Sequence, residues 1–285
     1  MPETYGAHES RIYYVEESAY GQTPTNPAML SVPAESLEPA ITPNNLKLRG
    51  VGSADLQAIK KGVREPSLKI TYPLPSDAPI NLLQYVKADL DKSLTIQLFY
   101  HKGSFVSATD IISLLYTGCR FQSLSVECSI NDVVKAAAEL LAQDAVSGTA
   151  KIMGATYADH VGVVPFYESY VKKDTTTLDR VTDWKFTIEN HLKQVSVIRA
   201  TSGNILKYLP YRHRDLTGEM TFEFESKEEF DDTLNDTEFA LEFGLGGTHK
   251  ATLSGCKWEN LSAPTRIEEL VSVKAAFVAK TITIN

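Results

Sequence analysis

Apolar and polar residues alternate one by one along much of this chain, and this pattern constrains the fold more than any other feature. Successive side chains of a strand point to opposite faces, so the alternation predicts strands with one buried and one polar face. Six segments show it clearly: residues 68–72, 94–100, 124–130, 184–188, 220–224 and 239–245. Parallel sheets are covered on both faces, so one-sided strands indicate antiparallel pairing. We therefore predict a mainly β protein, an antiparallel β-barrel or sandwich.

One strand signature occurs twice. Gly118–Ser125 matches Gly255–Ser262, and the substitutions between the two blocks keep residue type, such as Arg for Lys and Phe for Trp. Each block leads into a run that contains alanines. A repeat decides the architecture of a chain, so we predict a duplicated β domain with an offset close to half the length. Chance similarity between two amphipathic strands is the alternative.

The duplication predicts three parts of the chain. Residues 1–45 contain six prolines, five of them between residues 24 and 43, which exclude a helix, and are predicted to be an extended N-terminal arm. Residues 46–160 and 161–285 are predicted to be the two β domains. Within the first of them, residues 133–143 have high helix propensity, but their alternating counterpart at 271–278 favours a strand.

One short flanking helix is predicted at residues 226–235. Ser226 as N-cap and Glu229 three residues later form a capping box, and Phe230 and Leu234 share one face. Weaker helices are predicted at Ser53–Lys61 and Thr109–Tyr116, because a glycine follows each run within two residues.

Charge and cysteine content narrow the function. The chain has 36 acidic and 28 basic residues, a net charge of −8, which argues against tight binding to nucleic-acid phosphates. Three cysteines, an odd number in a chain of this size, indicate a reducing, cytosolic setting. No signal peptide and no apolar stretch of about 20 residues is visible, so we expect a soluble protein without a membrane partner.

No catalytic, cofactor or metal site is expected. The six histidines lie far apart in the sequence and none has a cysteine nearby, whereas metal sites need clustered ligands. No nucleophile elbow and no phosphate-binding loop occur, and the glycines at 244–247 fit a hairpin turn better than a nucleotide loop. We therefore expect a protein that is not an enzyme.

Aromatic and basic residues mark candidate contacts between subunits. Residues 208–214 are the densest such stretch and include Tyr211, Arg212 and Arg214. Arg and Tyr commonly anchor protein–protein contacts, although single-stranded nucleic acid is an alternative ligand. In the N-terminal arm, Tyr13 and Tyr14 belong to a short β-prone run and are candidate contacts between subunits. An arm of this kind is usually disordered and less often lies on a neighbouring subunit.

These segments resemble the tail tube proteins of tailed bacteriophages and archaeal tailed viruses. The resemblance lies in residues 183–190 and 218–225, the helix that follows, and the closing strands at 255–284. Residues 14–24 are also similar to the "E-s-x-x-G-x-x-P" start of many such proteins. The resemblance covers nearly the whole chain, and it consists of loose patterns of strands.

The resemblance implies subunits that self-assemble into rings, which stack into the hollow tail tube that conducts DNA during ejection. It implies a place in the virion tail after assembly in the host cytoplasm. The implied partners are further copies of the chain, the tape measure protein, other tail proteins, and double-stranded DNA that passes without specific binding. Glu223 and Glu225 lie in the most acidic segment and are candidate lumen-facing acids, because an acidic wall repels phosphates.

The chain is about twice as long as the single-domain tube proteins it resembles. Two domains per chain would let three chains form a pseudo-sixfold ring, which we slightly favour, whereas one domain with large insertions would favour six chains. A carbohydrate- or receptor-binding β module of a tail tip and the inner tube of a contractile injection system are alternative functions.

Overall fold

The computed structural model describes residues 4–86, 92–106, 108, 110–265 and 270–285. Within these ranges the chain forms nineteen strands, one α-helix, α1 (Glu228–Leu234), and single turns of 3-10 helix at Ala7–Glu9, Leu83–Tyr85 and Phe166–Glu168. The strands are β1 (Ser10–Glu16), β2 (Ala28–Ser31), β3 (Ser36–Thr42), β4 (Leu46–Leu48), β5 (Ala58–Lys60), β6 (Glu65–Pro73), β7 (Leu94–His101), β8 (Ile111–Ser129), β9 (Lys135–Leu141), β10 (Asp144–Gly148), β11 (Thr156–Ala158), β12 (Val171–Lys173), β13 (Thr176–Thr177), β14 (Val181–Glu189), β15 (Asp215–Glu223), β16 (Phe239–Gly244), β17 (Lys250–Ser262), β18 (Ser272–Val278) and β19 (Thr281–Ile284). In the described part of the chain, α1 and the 3-10 turns are all too short to cross a membrane.

Eight antiparallel strands form a sheet that we call the long sheet. Its order is β3–β6–β9–β8–β14–β15–β18–β17. Buried residues alternate with exposed or half-buried ones along these strands, so one face is apolar and packs on the core while the other is polar. The mainly antiparallel β prediction is therefore confirmed.

Two flanking sheets cover the apolar face. The N-terminal half of β8 pairs with β7 and β10, and β1, β2 and β11 extend this first flanking sheet. The N-terminal half of β17 pairs with β16 and β19, and β12 and β13 extend the second. Because β8 and β17 belong to two layers each, seventeen strands are continuously hydrogen-bonded, and the described strands form a sandwich without a closed barrel.

The two halves of the chain repeat the same strand pairings. Arg120 pairs with Leu141 where β8 meets β9, and Lys257 pairs with Val278 where β17 meets β18, an offset of 137 residues for both partners. The same offset relates the β8–β10 register to the β17–β19 register. It also relates the two β-bulges, between Phe121 and Ser123 and between Trp258 and Asn260. The strand signature therefore marks a pattern of strand pairing that recurs in both halves of the chain.

One main core joins the two repeats. Its buried residues run from Ile12 to Ile282, and Trp184 and Phe186 of β14 contact Phe243 of β16 beneath the middle of the long sheet. The division into β domains near residue 160 stays a prediction, since both halves build one sheet and one main core. The N-terminal arm is corrected: β1 pairs with β7 over its whole length and with β2 at Tyr13 and Tyr14, and β3 pairs with β6, so these strands belong to the fold.

The structure agrees with more of the predicted strands than of the predicted helices. Residues 133–143 contain β9, as the repeat predicted, and the predicted strands of the second half are all present. The helix predicted at Ser53–Lys61 is wrong, since this segment contains β5. The helix predicted at Thr109–Tyr116 is also wrong from Ile111 onward, where β8 begins, while Thr109 lies outside the described residues.

The capping box of the remaining helix is wrong as well. α1 begins at Glu228, whose N–H donates to Ser226 Oγ over 3.3 Å, but Glu229 does not reach back to the N-cap. Its carboxylate is buried and pairs with Arg180 instead. Tertiary pairing with a buried cation outweighed the local cap.

Candidate self-association surfaces

The long sheet ends in two unpaired edges. β3 pairs with β6 on one side and β17 pairs with β18 along residues 257–262, and among the described strands nothing pairs with the other side of either segment. Unpaired strand edges expose backbone N–H and C=O groups and readily add another strand. These two edges lie at opposite ends of one sheet, so they can join copies of the chain head to tail.

The polar face of the long sheet is acidic. Cross-strand partners share a face, so the pairing registers place nine carboxylates and five lysines on it. They are Glu38, Glu65, Glu127, Glu139, Asp183, Glu189, Asp215, Glu219 and Glu223, with Lys69, Lys135, Lys185, Lys257 and Lys274. Some charges pair with each other, as Lys185 does with Glu127 over 3.2 Å. The net charge of this face is nevertheless negative.

One rim of the long sheet, which we call the basic rim, carries two long connections. Residues 43–64 link β3 to β6 and residues 190–214 link β14 to β15; together they contain ten Lys and Arg residues and one acid, Asp55. The two connections touch, since Arg64 N–H donates to the Asn204 carbonyl over 2.9 Å and Val63 packs on Leu206 and its neighbours. The two connections therefore lie together and carry an excess of basic residues.

A hairpin of β4 and β5 lies within the first of these connections. It forms its own two-stranded sheet, and its large apolar side chains are exposed. They are Leu46 (62%), Leu48 (60%), Val51 (106%), Leu56 (36%) and Ile59 (59%). An isolated two-stranded hairpin with exposed apolar side chains is marginal in water, so this hairpin is a candidate contact with another chain.

The opposite rim, the acidic rim, is negatively charged. Residues 223–232, which end β15 and begin α1, contain six acids and one lysine. Ion pairs with two largely buried cations hold α1 in place: Lys173 Nζ lies 2.7 Å from Glu228 Oε1 and also contacts Asp232, while Arg180 contacts Glu229. At the same rim, Ile130, Phe166, Tyr167 and Trp184 line part of an open cavity of about 430 Å³.

The structure corrects the prediction for Tyr13 and Tyr14. Tyr13 is 1% exposed, stacks on Phe105 and donates its hydroxyl to Asp159 over 2.8 Å. Tyr14 is 2% exposed in the main core, and burial raises the pKa of its phenol. Both residues pack within their own chain and have no surface to offer a neighbour.

Tyr211, Arg212 and Arg214 all lie in the connection 190–214 on the basic rim. Tyr211 packs beside the Arg120 guanidinium, and burial raises the pKa of its hydroxyl. Arg212 is exposed and donates from Nε to the His191 carbonyl, and Arg214 donates from Nε to Asn190 Oδ1. Of the three, Arg212 presents the most surface to another chain, and their role in subunit contacts stays a proposal.

Glu223 and Glu225 lie at the acidic rim. Glu223 ends β15 on the polar face, next to buried Phe222, and Glu225 follows beyond the strand. Both side chains are exposed. The polar face of the long sheet, which sequence reasoning did not identify as one surface, contains more acids than this pair because strands from both repeats contribute to it.

Two histidines that are distant in sequence meet in the structure. The rings of His191 and His213 stack with centroids 4.1 Å apart, and His191 Nε2 lies 2.8 Å from Asp215 Oδ2. This pair corrects the expectation that every histidine stands apart from possible co-ligands. Paired strands bring the two ends of the connection together, which spacing along the chain does not reveal.

Comparison with known families gives one match. A family model described as phage tail tube protein matches residues 7–279, which is nearly the whole chain. A search of curated protein sequences finds no match.

Proposed function

The chain belongs to the phage tail tube protein family, and we propose that it self-assembles into stacked rings that form the tail tube through which DNA leaves the virion. Membership makes it a structural component of the viral tail. The observation that carries the proposal is the long sheet, which repeats one unit twice, has a polar face and ends in two unpaired edges. Further copies of the chain and other tail proteins, the tape measure protein among them, are its partners.

The strand pairing that joins the two repeats within the chain serves as the model for the pairing that joins one chain to the next, which we call the joint. Within the chain, β14 pairs with β8, and Thr187 lies opposite Ser125. Through the repeated registers Ala40 of β3 corresponds to Thr187, and Ser262 of β17 corresponds to Ser125. We therefore propose that β3 pairs with β17 of the next chain, with Ala40 opposite Ser262. Pro39 has no N–H to donate, so β3 forms a weaker joint than β14 does.

Strand number selects the ring size. Three copies of eight strands give a closed barrel of 24 strands, and at a spacing of ~4.8 Å with the usual tilt its backbone diameter is about 50 Å. Six copies would double this to about 100 Å, far wider than a DNA duplex needs. A ring of three chains, with six repeats, is therefore the arrangement we propose. Such a ring removes both unpaired edges.

In this ring the polar face of the long sheet lines the lumen. The flanking sheets cover the other face, so the acidic face is the one left for the interior. Carboxylates on the wall repel the phosphates of passing DNA and prevent it from binding. Glu219 and Glu223 are among the lumen-facing acids that this arrangement proposes.

The two rims are proposed to join successive rings. A basic rim on one ring attracts the acidic rim of the next, and the opposite arrangement would place like charges together. The β4–β5 hairpin then enters the cavity beside Tyr167 in a copy of the next ring, which covers its exposed apolar side chains. This contact is heterologous, so it repeats without closing and grows a filament.

Cryo-electron microscopy of the purified full-length chain at increasing concentration tests the proposal. We expect rings or tubes whose top views show three chains arranged as six similar units. Monomers at every concentration would contradict self-assembly. Rings of six chains would contradict the three-chain arrangement while leaving the tube intact.

A further inference from the structure

A cluster of side chains that can act as metal ligands lies at the base of the connection 190–214. His191 follows β14, His213 precedes β15, and Asp215 is the first residue of β15. Each offers one ligand atom, and the three atoms lie within 4.8 Å of one another. We propose that His191, His213 and Asp215 form a surface site for a divalent transition metal ion, with Zn²⁺ as the best fit.

The distances suit such an ion. Ligand atoms about 2.1 Å from a tetrahedral Zn²⁺ lie about 3.4 Å from each other. Asp215 Oδ2 is 2.8 Å from His191 Nε2 and 3.9 Å from His213 Nε2, so small side-chain rotations bring all three into place. Glu189 Oε2, 3.7 Å from His191 Nε2, is available as a fourth ligand. Imidazole with carboxylate favours zinc, copper or nickel over calcium or magnesium.

Hydrogen bonds hold the backbone around the ligands, and the two that Asn190 Nδ2 donates are buried. Asn190, fully buried, donates from Nδ2 to the carbonyls of Val86 and Phe121 and accepts from Arg214 Nε. Arg212 Nε donates to the His191 carbonyl over 3.1 Å. These hydrogen bonds position the residues next to both histidines before an ion binds. Ion binding therefore costs the protein little conformational entropy.

The site is open to solvent. The side chains of His191, His213 and Asp215 are 26%, 59% and 56% exposed. The two histidines flank the connection, so a bound ion would tie its two ends together. The proposed role of the ion is to fix the base of this part of the basic rim.

Calorimetric titration of the tag-free, full-length chain with ZnCl₂ near neutral pH tests this site. We expect one Zn²⁺ per chain, with affinity falling at least about tenfold in His213→Ala and in Asp215→Asn. His191 has φ +45°, a conformation that Asn tolerates well, so His191→Asn removes the third ligand without backbone strain. His8→Ala, at an exposed histidine elsewhere, is the matched control and should bind as the unchanged chain does.

Two outcomes would overturn the site: no saturable Zn²⁺ binding by the unchanged chain, or equal binding by the unchanged chain and the Asp215→Asn variant. The stacked histidines would then be an ordinary histidine–carboxylate cluster. Co²⁺ supplies an independent readout, because a tetrahedral nitrogen–oxygen site gives visible absorption that the variants should lose. Neither measurement depends on ring or tube formation.

Discussion

Gly118 and Gly255 have the same backbone conformation at the same place in the two repeats, with φ of 64° and 65°. Each lies where a long strand passes from a flanking sheet into the long sheet. A Cβ built at Gly118 would lie 2.6 Å from Gln143 Cβ, and one at Gly255 would lie 2.7 Å from Lys280 Cδ. Gln143 and Lys280 are themselves 137 residues apart, so the bend and its neighbour recur at the offset of the strand pairings.

Gly118→Ala should destabilise the chain more than Gly255→Ala. A left-handed backbone costs an alanine about 1–2 kcal/mol at either position, and crowding adds about 1–3 kcal/mol where the neighbour cannot move. Gln143 Cβ is fixed to the backbone, whereas the Lys280 stem is flexible. Gly247→Ala is the control for backbone strain alone, because φ is 57° there and a Cβ meets nothing within 4 Å. Denaturant unfolding should give Gly247→Ala the smallest loss, and equal losses for Gly118→Ala and Gly247→Ala would refute the crowding argument.

Glu17→Ala should cost about 3 kcal/mol or more of unfolding free energy. The Glu17 carboxylate accepts bonds from the Gly118 N–H over 2.7 Å, the Gly21 N–H over 2.7 Å and the Thr95 hydroxyl over 2.9 Å. Removing it leaves these donors without an acceptor, at about 1–3 kcal/mol for each buried group. Glu16→Ala is the matched control, since Glu16 forms an exposed pair with Lys92 worth about 0–1 kcal/mol. Similar losses for the two variants would show that Glu17 does not organise this region.

Leu48→Ser and Val51→Ser should block tube growth without unfolding the chain. Both side chains already contact water, so each change should alter stability by no more than about 0.5 kcal/mol. The hairpin would lose the apolar surface proposed to enter the next ring, leaving single rings in electron micrographs. Met153→Ser, also at an exposed apolar residue, should form normal tubes. Tubes of normal length from the hairpin variants would remove the hairpin from the stacking contact.

The three native cysteines should not react with thiol reagents in the folded chain. Burial raises the pKa of Cys128 to about 11 and of Cys256 to about 12, and it raises the pKa of Cys119 as well. The reactive thiolate is therefore nearly absent in the folded state at neutral pH. These raised values also mean that stability falls as the pH rises above about 8.5, where the unfolded thiols ionise. Labelling should reach three thiols only in denaturant, and fast labelling of the native chain would contradict this.

Local sequence patterns predicted the strands but not their partners. Alternation identified β6, β14, β15 and β16. In a strand with one buried face, the alternation of apolar and polar residues itself shows which side chains face the core. The segment Ile111–Tyr116 is almost continuously apolar, a pattern that periodicity alone does not assign to helix or strand. The pairing of β1 with β7 joins residues 78 to 90 positions apart, so the proline-rich start of the chain looked like a free arm.

The candidate surfaces were predictable only in part. The repeated signature predicted similar strands in both halves, and the acid-rich segment includes the exposed Glu223. The exposed state of the hairpin depends on which residues the core leaves uncovered, and the meeting of His191 with His213 depends on the pairing of β14 with β15. Neither property can be predicted from the residues of a short segment alone.

The most direct test of the three-chain ring is a disulfide across the proposed joint. Opposed residues on paired strands have Cβ atoms ~4.5–5.5 Å apart, close enough for a disulfide after small adjustment. Ala40 and Ser262 are exposed, and the native thiols are buried. Glu38→Cys with Ser262→Cys, displaced by two residues, is the register control and should cross-link poorly.

Ala40→Cys combined with Ser262→Cys should, after oxidation of the assembled protein, give a non-reducing gel ladder that stops at three chains. A ladder that continues to six chains, or the absence of cross-links between chains in assembled tubes, would contradict the proposed ring.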